Sequence, residues 1–237
     1  SFAAFEGDKI VAFTFNGIGN YYGVRTAYDT GTGTLKEYRG KGLATRIFEY
    51  SIPYLKEEGI QQYLLEVLQH NTKAVSVYRN IGFEVIREFN YFVEEKEKVR
   101  TRLQVQNSVS PYIIKEINIA DYLVSDFWDF CPSWQNSFEA ISRVPDVFIT
   151  LGIFAEDILL GYCIFESQSG DITQIAVDKG CRRKGIGTLL FEEVTKLINS
   201  NQIKIINTEL SCDAITRFLE VKKIAVKGKQ FEMIKML

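Results

Sequence analysis

The sequence predicts a two-domain protein of the α+β or α/β class. Three observations support this prediction: the chain length, a charged break near the middle, and a strand–turn–helix–strand pattern on each side of it. The 237 residues are enough for two small domains or one large one, since a domain has roughly 100–200 residues. Hydrophobic residues make up 46% and charged residues 24%, which excludes a disordered tail, a collagen-like chain and a coiled coil.

Charge and cysteine content limit the possible partners. The net charge is −2 at pH 7, so no global attraction to nucleic acid or to an anionic membrane is expected. The four cysteines form no C-x-x-C pair and His70 is the single histidine, which argues against a metal site and a disulfide framework. No apolar run reaches the roughly 18 residues of a membrane span, and no signal peptide is found. We therefore predict a cytoplasmic location, and the oligomeric state stays open.

The most charged run of the chain is the segment EEKEK at residues 94–98. It follows an apolar stretch and precedes a polar, mixed segment. We interpret residues 94–108 as a linker between a first domain at residues 1–95 and a second domain at residues 109–237. One long, charged hairpin inside a single domain is the alternative.

The elements of the first half follow in a regular order. Residues 1–5, 9–15 and 24–35 are predicted strands, and residues 63–67 form a further strand after a helix. The helix is predicted because the apolar positions after Gly42 recur with a period near 3.6. These positions are Leu43, Ile47, Phe48, Ile52 and Leu55.

The second half shows the same pattern after additional elements. Residues 112–117 are a predicted strand, and residues 120–130 and 137–143 are predicted helices. Strands are expected at 147–154, 159–166, 171–177 and 203–207, with a helix after Gly185. Five aromatic residues cluster around the two early helices, and they form either a core or a partly aromatic acyl or acceptor pocket. They are Phe127, Trp128, Phe130, Trp134 and Phe138.

The turn before each repeated helix has the strongest chemical content. Residues 38–44 (YRGKGLA) reappear as residues 181–187 (CRRKGIG). Glycines at a strand-to-helix junction let backbone N–H groups approach an anion, and the helix N-terminus adds a positive dipole end. A phosphate or pyrophosphate is the expected ligand, and a purely structural tight turn is the alternative. The spelling fits neither a P-loop nor a dinucleotide fingerprint.

The spelling Arg-x-x-Gly-x-Gly/Ala resembles motif A of the GNAT superfamily of acyl-CoA-dependent N-acyltransferases. Residues 71–83 (NTKAVSVYRNIGF) are similar to a second family pattern, N-x-x-A-x-x-x-Y-x-x-x-G-F. The resemblance covers residues 1–93 and 109–237. It implies a tandem GNAT protein of the α+β class, with a mixed, mostly antiparallel sheet and helices on both faces in each domain.

The resemblance also implies acetyl-CoA as co-substrate and a primary amine of a small molecule or peptide as acceptor. In the family, motif A binds the CoA pyrophosphate, the preceding strand offers a backbone amide to the thioester carbonyl, and the asparagine bonds the pantetheine arm. The corresponding CoA-binding residues are Thr34, Leu35, Arg39, Gly40, Lys41, Gly42, Ala44, Thr45 and Asn71 in the first half, and Val177, Arg182, Arg183, Gly185, Gly187 and Thr188 in the second.

The catalytic candidates lie in the first half. Tyr78 corresponds to the family tyrosine whose hydroxyl faces the CoA sulfur, and a phenol with a pKa near 10 stays protonated at neutral pH. A core aromatic residue is the alternative for Tyr78. Glu66 is a candidate acceptor of the amine proton, against the alternative of a solvent-facing strand residue. His70 is the less favoured general base, because a surface histidine is common at a strand end.

Each half departs from the family pattern. The first domain lacks the initial strand and the two early helices, so we expect residues before Ser1 or an acceptor wall supplied by the second domain. In the second half, alignment of Ala214 with Ala74 places Phe218 at the position of Tyr78, so this copy is expected to be degenerate. The predicted function is N-acetyl transfer in the first domain. The alternative is a non-catalytic regulatory module that binds CoA or acyl-CoA.

Overall fold

A computed structural model describes residues 1–99 and 111–237. The chain forms two compact units: unit 1 consists of Ser1–Phe89 and Lys229–Leu237, and unit 2 of Asn90–Gly228. The division therefore differs from the predicted boundaries at 95 and 109. Unit 1 ends within a strand, at Phe89, and takes in the end of the chain, because the last strand pairs with a strand of unit 1. The part of the predicted linker at residues 100–108 lies outside the described residues.

Unit 1 begins with three strands, followed by an alternation of helix and strand. The elements are β1 (Phe2–Glu6), β2 (Lys9–Tyr21), β3 (Val24–Thr34), α1 (Leu43–Glu57), β4 (Gln62–Leu68), α2 (Thr72–Asn80), the first part of β5 (Glu84–Glu95) and most of the last strand, β11 (Val226–Met236). These bounds agree with the order of elements predicted for the first half, and β2 continues beyond the predicted end.

The sheet of unit 1 has the strand order β1-β2-β3-β4-β11-β5. Antiparallel pairing joins β1 to β2 and β2 to β3. Strand β11 is antiparallel to β4 over seven residue pairs, from Gln230 opposite Leu68 to Met236 opposite Gln62. An unpaired strand presents a row of free N–H and C=O groups, and β11 occupies that side of β4. The last strand of the chain thus completes the sheet of unit 1.

The core of unit 1 lies between the sheet and its two helices. Helix α1 buries Ile47, Phe48 and Leu55, three of the positions that the helical period predicts. Phe48 and Leu55 pack with Tyr63 and Leu65 of β4, which are almost fully buried in the same cluster. Because side chains alternate along a strand, the intervening β4 residues point to the other face of the sheet.

Unit 2 has the same alternation after a longer N-terminal part. Its elements after the end of β5 are β6 (Ile113–Glu116), α3 (Phe138–Ile141), β7 (Ile149–Ala155), β8 (Ile158–Glu166), β9 (Asp171–Val177), α4 (Ile186–Leu197), β10 (Gln202–Glu209) and α5 (Asp213–Val221). The strand order is β5-β10-β9-β8-β7-β6. Pairing is antiparallel from β6 to β9 and parallel between β9 and β10. The predicted α+β class with mixed, mostly antiparallel sheets is confirmed.

The prediction of two early helices in unit 2 was wrong. Residues 120–130 contain no α-helix but two 3-10 turns, Ile119–Asp121 and Ser125–Phe127, and the second helix is the four-residue α3. Leu123 is 98% exposed, so the apolar residues do not form one buried helical face. Aspartate and serine are weak helix formers, because their side chains can compete for backbone hydrogen bonds, and Pro132 disfavours helical geometry just before it.

Candidate active site

The sheet of unit 1 opens between β3 and β4. The two strands pair in parallel at Thr26–Gln62, Ala27–Tyr63 and Tyr28–Leu64. Beyond these pairs β3 continues to Thr34 and β4 to Leu68, and the two strands no longer pair with each other. The gap between the diverging ends, called the unit 1 opening below, lies beside the strand that leads to the glycine turn.

The glycine turn of unit 1 faces open space. Gly40 and Gly42 have φ angles of +76° and +71°, and a Cβ added at either would meet no atom within 4 Å. Gly42 precedes the first residue of α1 and has no side chain that could cap it, and the first bond back to its carbonyl comes from Arg46. The amides before Arg46 therefore point out of the helix end, which is a site for an anion.

The predicted CoA contacts of unit 1 other than Asn71 lie in one segment of the chain, residues 34–45. Thr34 ends strand β3 and Leu35 follows it, while Ala44 and Thr45 lie in the first turn of α1. Arg39 braces the turn, since its Nε donates to the carbonyl oxygen of Thr34 at 3.0 Å. Lys41 places its ammonium group 4.6 Å from the ring centre of Tyr38. In the structure, Arg39 therefore stabilises the conformation of the turn.

Tyr78 reaches the unit 1 opening from helix α2. Its side chain is buried, and its hydroxyl donates to the carboxylate of Asp29 at 3.4 Å. Burial raises the pKa of Tyr78 well above its ordinary value, and the charge of Asp29 adds to that increase. The phenol is therefore protonated at neutral pH, as the sequence predicts, and it belongs at the same time to the core.

Asp29 is a site residue that sequence reasoning missed. Its carboxylate accepts from Thr32 Oγ1 at 2.9 and 3.0 Å, from the amide of Gly31 at 3.0 Å and from Thr14 Oγ1 at 3.4 Å. Burial raises the pKa of Asp29, and these hydrogen bonds partly oppose the increase. The one available signal was an acidic residue in the small, neutral run DTGTGT, at residues 29–34.

Glu66 lies on the other face of the sheet from Tyr78. Its neighbours on β4, Leu65 and Val67, pack in the helix-side core, so the side chain of Glu66 points away from that core. The carboxylate accepts a hydrogen bond from Tyr28, whose pKa is raised by burial first and by Glu66 second. Directly opposite Glu66 on β11 is Glu232, which forms an ion pair with Arg87.

Two further predicted residues, Asn71 and His70, lie at the start of α2. The side chain of Asn71 accepts from the amide of Ala74 at 3.3 Å and so caps the helix. This contact uses the amide oxygen and leaves the NH₂ group for a ligand. His70, just before it, is exposed, in agreement with the interpretation as a surface histidine.

The turn of unit 2 repeats the geometry of unit 1 closely. Arg183 and Gly185 have φ angles of +64° and +84°, matching the two glycines of the first turn. Arg182 Nε donates to the carbonyl oxygen of Val177 at 3.1 Å, the counterpart of the bond from Arg39. The two turns therefore share one backbone design, and an arginine in the left-handed conformation replaces the first glycine.

A cleft of about 1230 Å³ adjoins the turn of unit 2. All six CoA contacts predicted for this half line it: Val177, Arg182, Arg183, Gly185, Gly187 and Thr188. Its wall also contains Thr208, which is 4% exposed and whose hydroxyl has no hydrogen-bond partner. A buried polar group without a partner is costly, so the cleft offers a bond that a ligand could complete.

The aromatic residues of unit 2 divide between core and cleft. Trp134 is buried, whereas Phe127, Trp128 and Phe130 line the cleft. The Nε1 of Trp128 donates to Tyr162 Oη at 2.7 Å, and that hydroxyl donates to Gln174 Oε1 at 2.6 Å. The core interpretation therefore applies to Trp134 and to Phe127, which is buried as well as lining the cleft, and the acyl or acceptor pocket stays a prediction.

The structure corrects the alignment of the second motif. The amide of Phe83 bonds the carbonyl of Tyr78, and the amide of Ile224 bonds the carbonyl of Leu219 in the same way. Gly82 and Lys223, one residue earlier, both have positive φ angles. Leu219, rather than Phe218, is thus the counterpart of Tyr78. The predicted alignment of Ala214 with Ala74 was therefore shifted by one residue.

The same correction applies to the start of helix α5. Cys212 precedes the first residue of α5, as Asn71 precedes α2, whereas the alignment on Ala214 would place Ser211 there. Cys212 lines the cleft, and its sulfur lies 4.0 Å from Asp129 Oδ2. Leu219 has no hydroxyl, so the two halves still differ at the position of Tyr78.

A family model described as the acetyltransferase (GNAT) family matches residues 1–83 and 112–216. The chain therefore belongs to the GNAT family of acetyltransferases. Since each half carries one match, it is a tandem GNAT protein.

Sequence relatives cover parts of the chain. N-alpha-acetyltransferase 30 of Schizosaccharomyces pombe is 34% identical over 67 residues, which are 28% of this chain and 45% of that protein. N-alpha-acetyltransferase MAK3 of Arabidopsis thaliana is 25% identical over 117 residues, which are 49% of this chain and 62% of that protein. The chain thus spans less than two thirds of these curated relatives.

Solved structures resemble the fold over nearly the whole chain. A tandem GNAT protein from the clavulanic acid biosynthesis pathway has a TM-score of 0.71 at 10% identity, covering 99% of this chain and 81% of that one. A GCN5-related N-acetyltransferase from Sphaerobacter thermophilus has a TM-score of 0.67 at 14% identity, with coverages of 97% and 78%. At these identities the likeness concerns the fold alone. Among the described residues, no helix combines the length and the apolar character required to cross a bilayer.

Proposed function

We propose that this protein transfers an acetyl group from acetyl-CoA to a primary amine, and that transfer occurs at the unit 1 opening. The observation that carries the proposal is the place of the Tyr78 hydroxyl, which lies beside Asp29 and in the same unit as an open glycine turn. Family membership supports the reaction class. The acceptor would be a small molecule or a peptide.

The residues of unit 1 fit CoA in the order in which they occur. The amides at the start of α1 would hold the pyrophosphate, and the Asn71 side chain would bond the pantetheine arm. The end of β3 leads from the turn back toward Asp29, so Thr34 would offer its amide to the thioester carbonyl. CoA supplies an activated acetyl group and a thiolate leaving group. The chain has to bind both substrates, orient them and move one proton.

The proton of the amine has two candidate acceptors in unit 1. Tyr78 would protonate the departing thiolate, since its proton is retained at neutral pH. Glu66 would accept the amine proton from the face of the sheet opposite to Tyr78. Asp29 is the second carboxylate near the opening, and it already contacts the phenol.

A second function is supported by the cleft of unit 2. The glycine turn there is complete, the cleft is large, and the buried Thr208 hydroxyl has no partner. Leu219 replaces the phenol, however, so this unit holds no counterpart of the Tyr78 proton donor. We therefore propose that unit 2 binds CoA or acyl-CoA without transferring the acyl group.

Calorimetry and a thiol-release assay test both proposals on the whole protein. Titration with CoA should show binding, and the number of sites distinguishes one competent unit from two. Release of CoA thiol should then require both acetyl-CoA and an amine, offered as an alkyl diamine, lysine amide and a tetrapeptide with a free α-amine. If the protein binds CoA but releases no thiol with any of these amines, the non-catalytic regulatory module is supported and acetyl transfer is rejected.

A further inference from the structure

We propose that Asp29 and Tyr78 form one proton-transfer unit, which moves the proton of the attacking amine to the sulfur of CoA. This inference rests on the proposed acetyl transfer at the unit 1 opening and names the acceptor of the amine proton. Asp29 acts through Tyr78 and is therefore a positioning residue, whereas Tyr78 contacts the reacting atoms.

The contacts of Asp29 differ in a way that suits this role. Thr32 and the amide of Gly31 bond the carboxylate at 2.9–3.0 Å, which fixes the carboxylate in place. The Tyr78 contact, at 3.4 Å, is longer and weaker. The carboxylate is therefore held without the phenol, and the hydroxyl hydrogen can be exchanged between Asp29 and a ligand.

The proton path balances in two steps. As the amine nitrogen bonds to the thioester carbonyl carbon, the Tyr78 oxygen takes the nitrogen proton and passes its own proton to Asp29. The tetrahedral adduct then collapses and breaks the carbon–sulfur bond. The sulfur takes the proton of Tyr78, which regains one from Asp29. The net change is one proton moved from nitrogen to sulfur, with both side chains restored.

The surroundings of Asp29 let it bind this proton transiently. Burial raises its pKa above that of an exposed aspartate, so the protonated form is within reach. The titratable groups around it are the phenols of Tyr28, Tyr63 and Tyr78, whose pKa values are raised by burial and by the charge of Asp29. None of these phenols titrates in the acidic range. An acidic limb in the rate profile would therefore belong to Asp29 or to Glu66 on the other face.

The test measures kcat against pH in the thiol-release assay, with acetyl-CoA and the three amines named above. Asp29→Asn and Tyr78→Phe should each lower kcat by about 100-fold with little change in the KM for acetyl-CoA. The double variant should be no slower than either single variant, because residues that act as a unit give non-additive losses. Multiplicative losses in the double variant would overturn the proposal.

The pH profiles separate Asp29 from Glu66. The wild-type rate should rise with pH along an acidic limb, and Glu66→Gln should keep that limb. Thr32→Val should move the limb to higher pH, since it removes a hydrogen bond that favours the charged carboxylate. It also serves as the second variant if Asp29→Asn does not fold. A limb that is unmoved in Thr32→Val, or lost in Glu66→Gln, would overturn the proposal.

The outcomes for this inference and for the proposed function differ. If folded Asp29→Asn releases thiol as fast as the wild-type protein, the proton-transfer unit is overturned and the proposed acetyl transfer is not affected. Wild-type protein that binds CoA and acetylates none of the amines overturns both. Thermal unfolding and CoA calorimetry establish that each variant is folded.

Discussion

Tyr78 of α2 and Leu219 of α5 occupy the same position in the two halves of the chain. Each carbonyl accepts the amide of the residue five positions later, Phe83 in one case and Ile224 in the other, at 3.0 and 2.9 Å. Both side chains are buried in the core of their own unit. The backbone of the helix end is thus repeated, and one copy has a hydroxyl where the other has an aliphatic side chain.

Tyr78→Phe should lower kcat by about 100-fold, since it removes the proton donor while the ring still fills the core. The KM for acetyl-CoA should stay nearly unchanged, the pattern of an interaction made in the transition state. Steady-state thiol release measures both constants.

Tyr63→Phe is the matched control for Tyr78. Its ring is in contact with the same aromatic cluster, and its hydroxyl bonds Asn16 at 2.5 Å rather than Asp29. It should lose at most about 1.5 kcal/mol of stability and keep its turnover. Equal losses of kcat in the two variants would show that core packing, and not the Tyr78 hydroxyl, sets the rate.

Gly42→Val should weaken CoA binding to unit 1 by about 10-fold or more, an increase of about 1.4 kcal/mol in the binding free energy. The space beside Gly42 is open, so the valine side chain would occupy the volume where an anion approaches the amides. Calorimetric titration with CoA measures the change.

Gly23→Val controls for backbone strain. Gly23 has a φ of +81° and nothing within 4 Å of its ideal Cβ, so both valines meet the same left-handed penalty of about 1–2 kcal/mol. Gly23 lies in the hairpin between β2 and β3, and its variant should bind CoA normally. Unchanged CoA affinity in folded Gly42→Val would reject the first anion site.

Thr208→Val tests the cleft of unit 2. The change keeps the shape and removes a buried hydroxyl without a partner, so the free energy of unfolding should stay within about 0.5 kcal/mol or increase. In a Gly42→Val background, the remaining CoA affinity should fall by about 2- to 10-fold.

Thr195→Val is the control for Thr208→Val. Thr195 is buried in α4 and donates to the carbonyl oxygen of Phe191 at 2.7 Å, so its replacement should cost stability and leave CoA affinity intact. The assignment of unit 2 as a CoA site fails if Thr208→Val binds CoA as tightly as its parent.

Glu232→Gln should destabilise unit 1 by about 3 kcal/mol, because it leaves the guanidinium of Arg87 without its charged partner. The pair is bidentate, at 2.6 and 2.8 Å, and Glu232 is 1% exposed. Denaturant unfolding measures the loss.

Glu193→Gln breaks an exposed pair with Lys196 and should change stability by at most about 1 kcal/mol. An equally small effect of Glu232→Gln would contradict a structural role for the Arg87–Glu232 pair in attaching the last strand to unit 1.

The regular elements were predictable because their signals are local. The period of Ile47, Phe48 and Leu55 places α1, and the glycine spelling places both turns to the residue. The prediction of early helices in unit 2 was wrong. Apolar residues within 120–130 satisfy a helical pattern, but aspartates and a following proline favour 3-10 turns. Local patterns therefore located elements well wherever no side chain competed with the backbone.

The candidate site was half predictable. Tyr78 and the turn residues follow from motif spelling, whereas Asp29 sits in a strand without any motif. Its contacts with Thr14, Thr32 and Tyr78 join three separate elements of unit 1. Such a meeting is invisible along the chain, because it depends on strand register and on the helix crossing the sheet.

The sequence by itself determined the α+β class, the tandem repeat, the two glycine turns and the presence of a phenol in one half. Each is written in a contiguous run of residues, where backbone conformation and helical period are set by near neighbours. Tertiary structure alone decided that the last strand belongs to unit 1 and that Asp29 contacts the phenol. These depend on pairing between residues far apart in the chain, and burial and register, rather than local preference, determine such pairs.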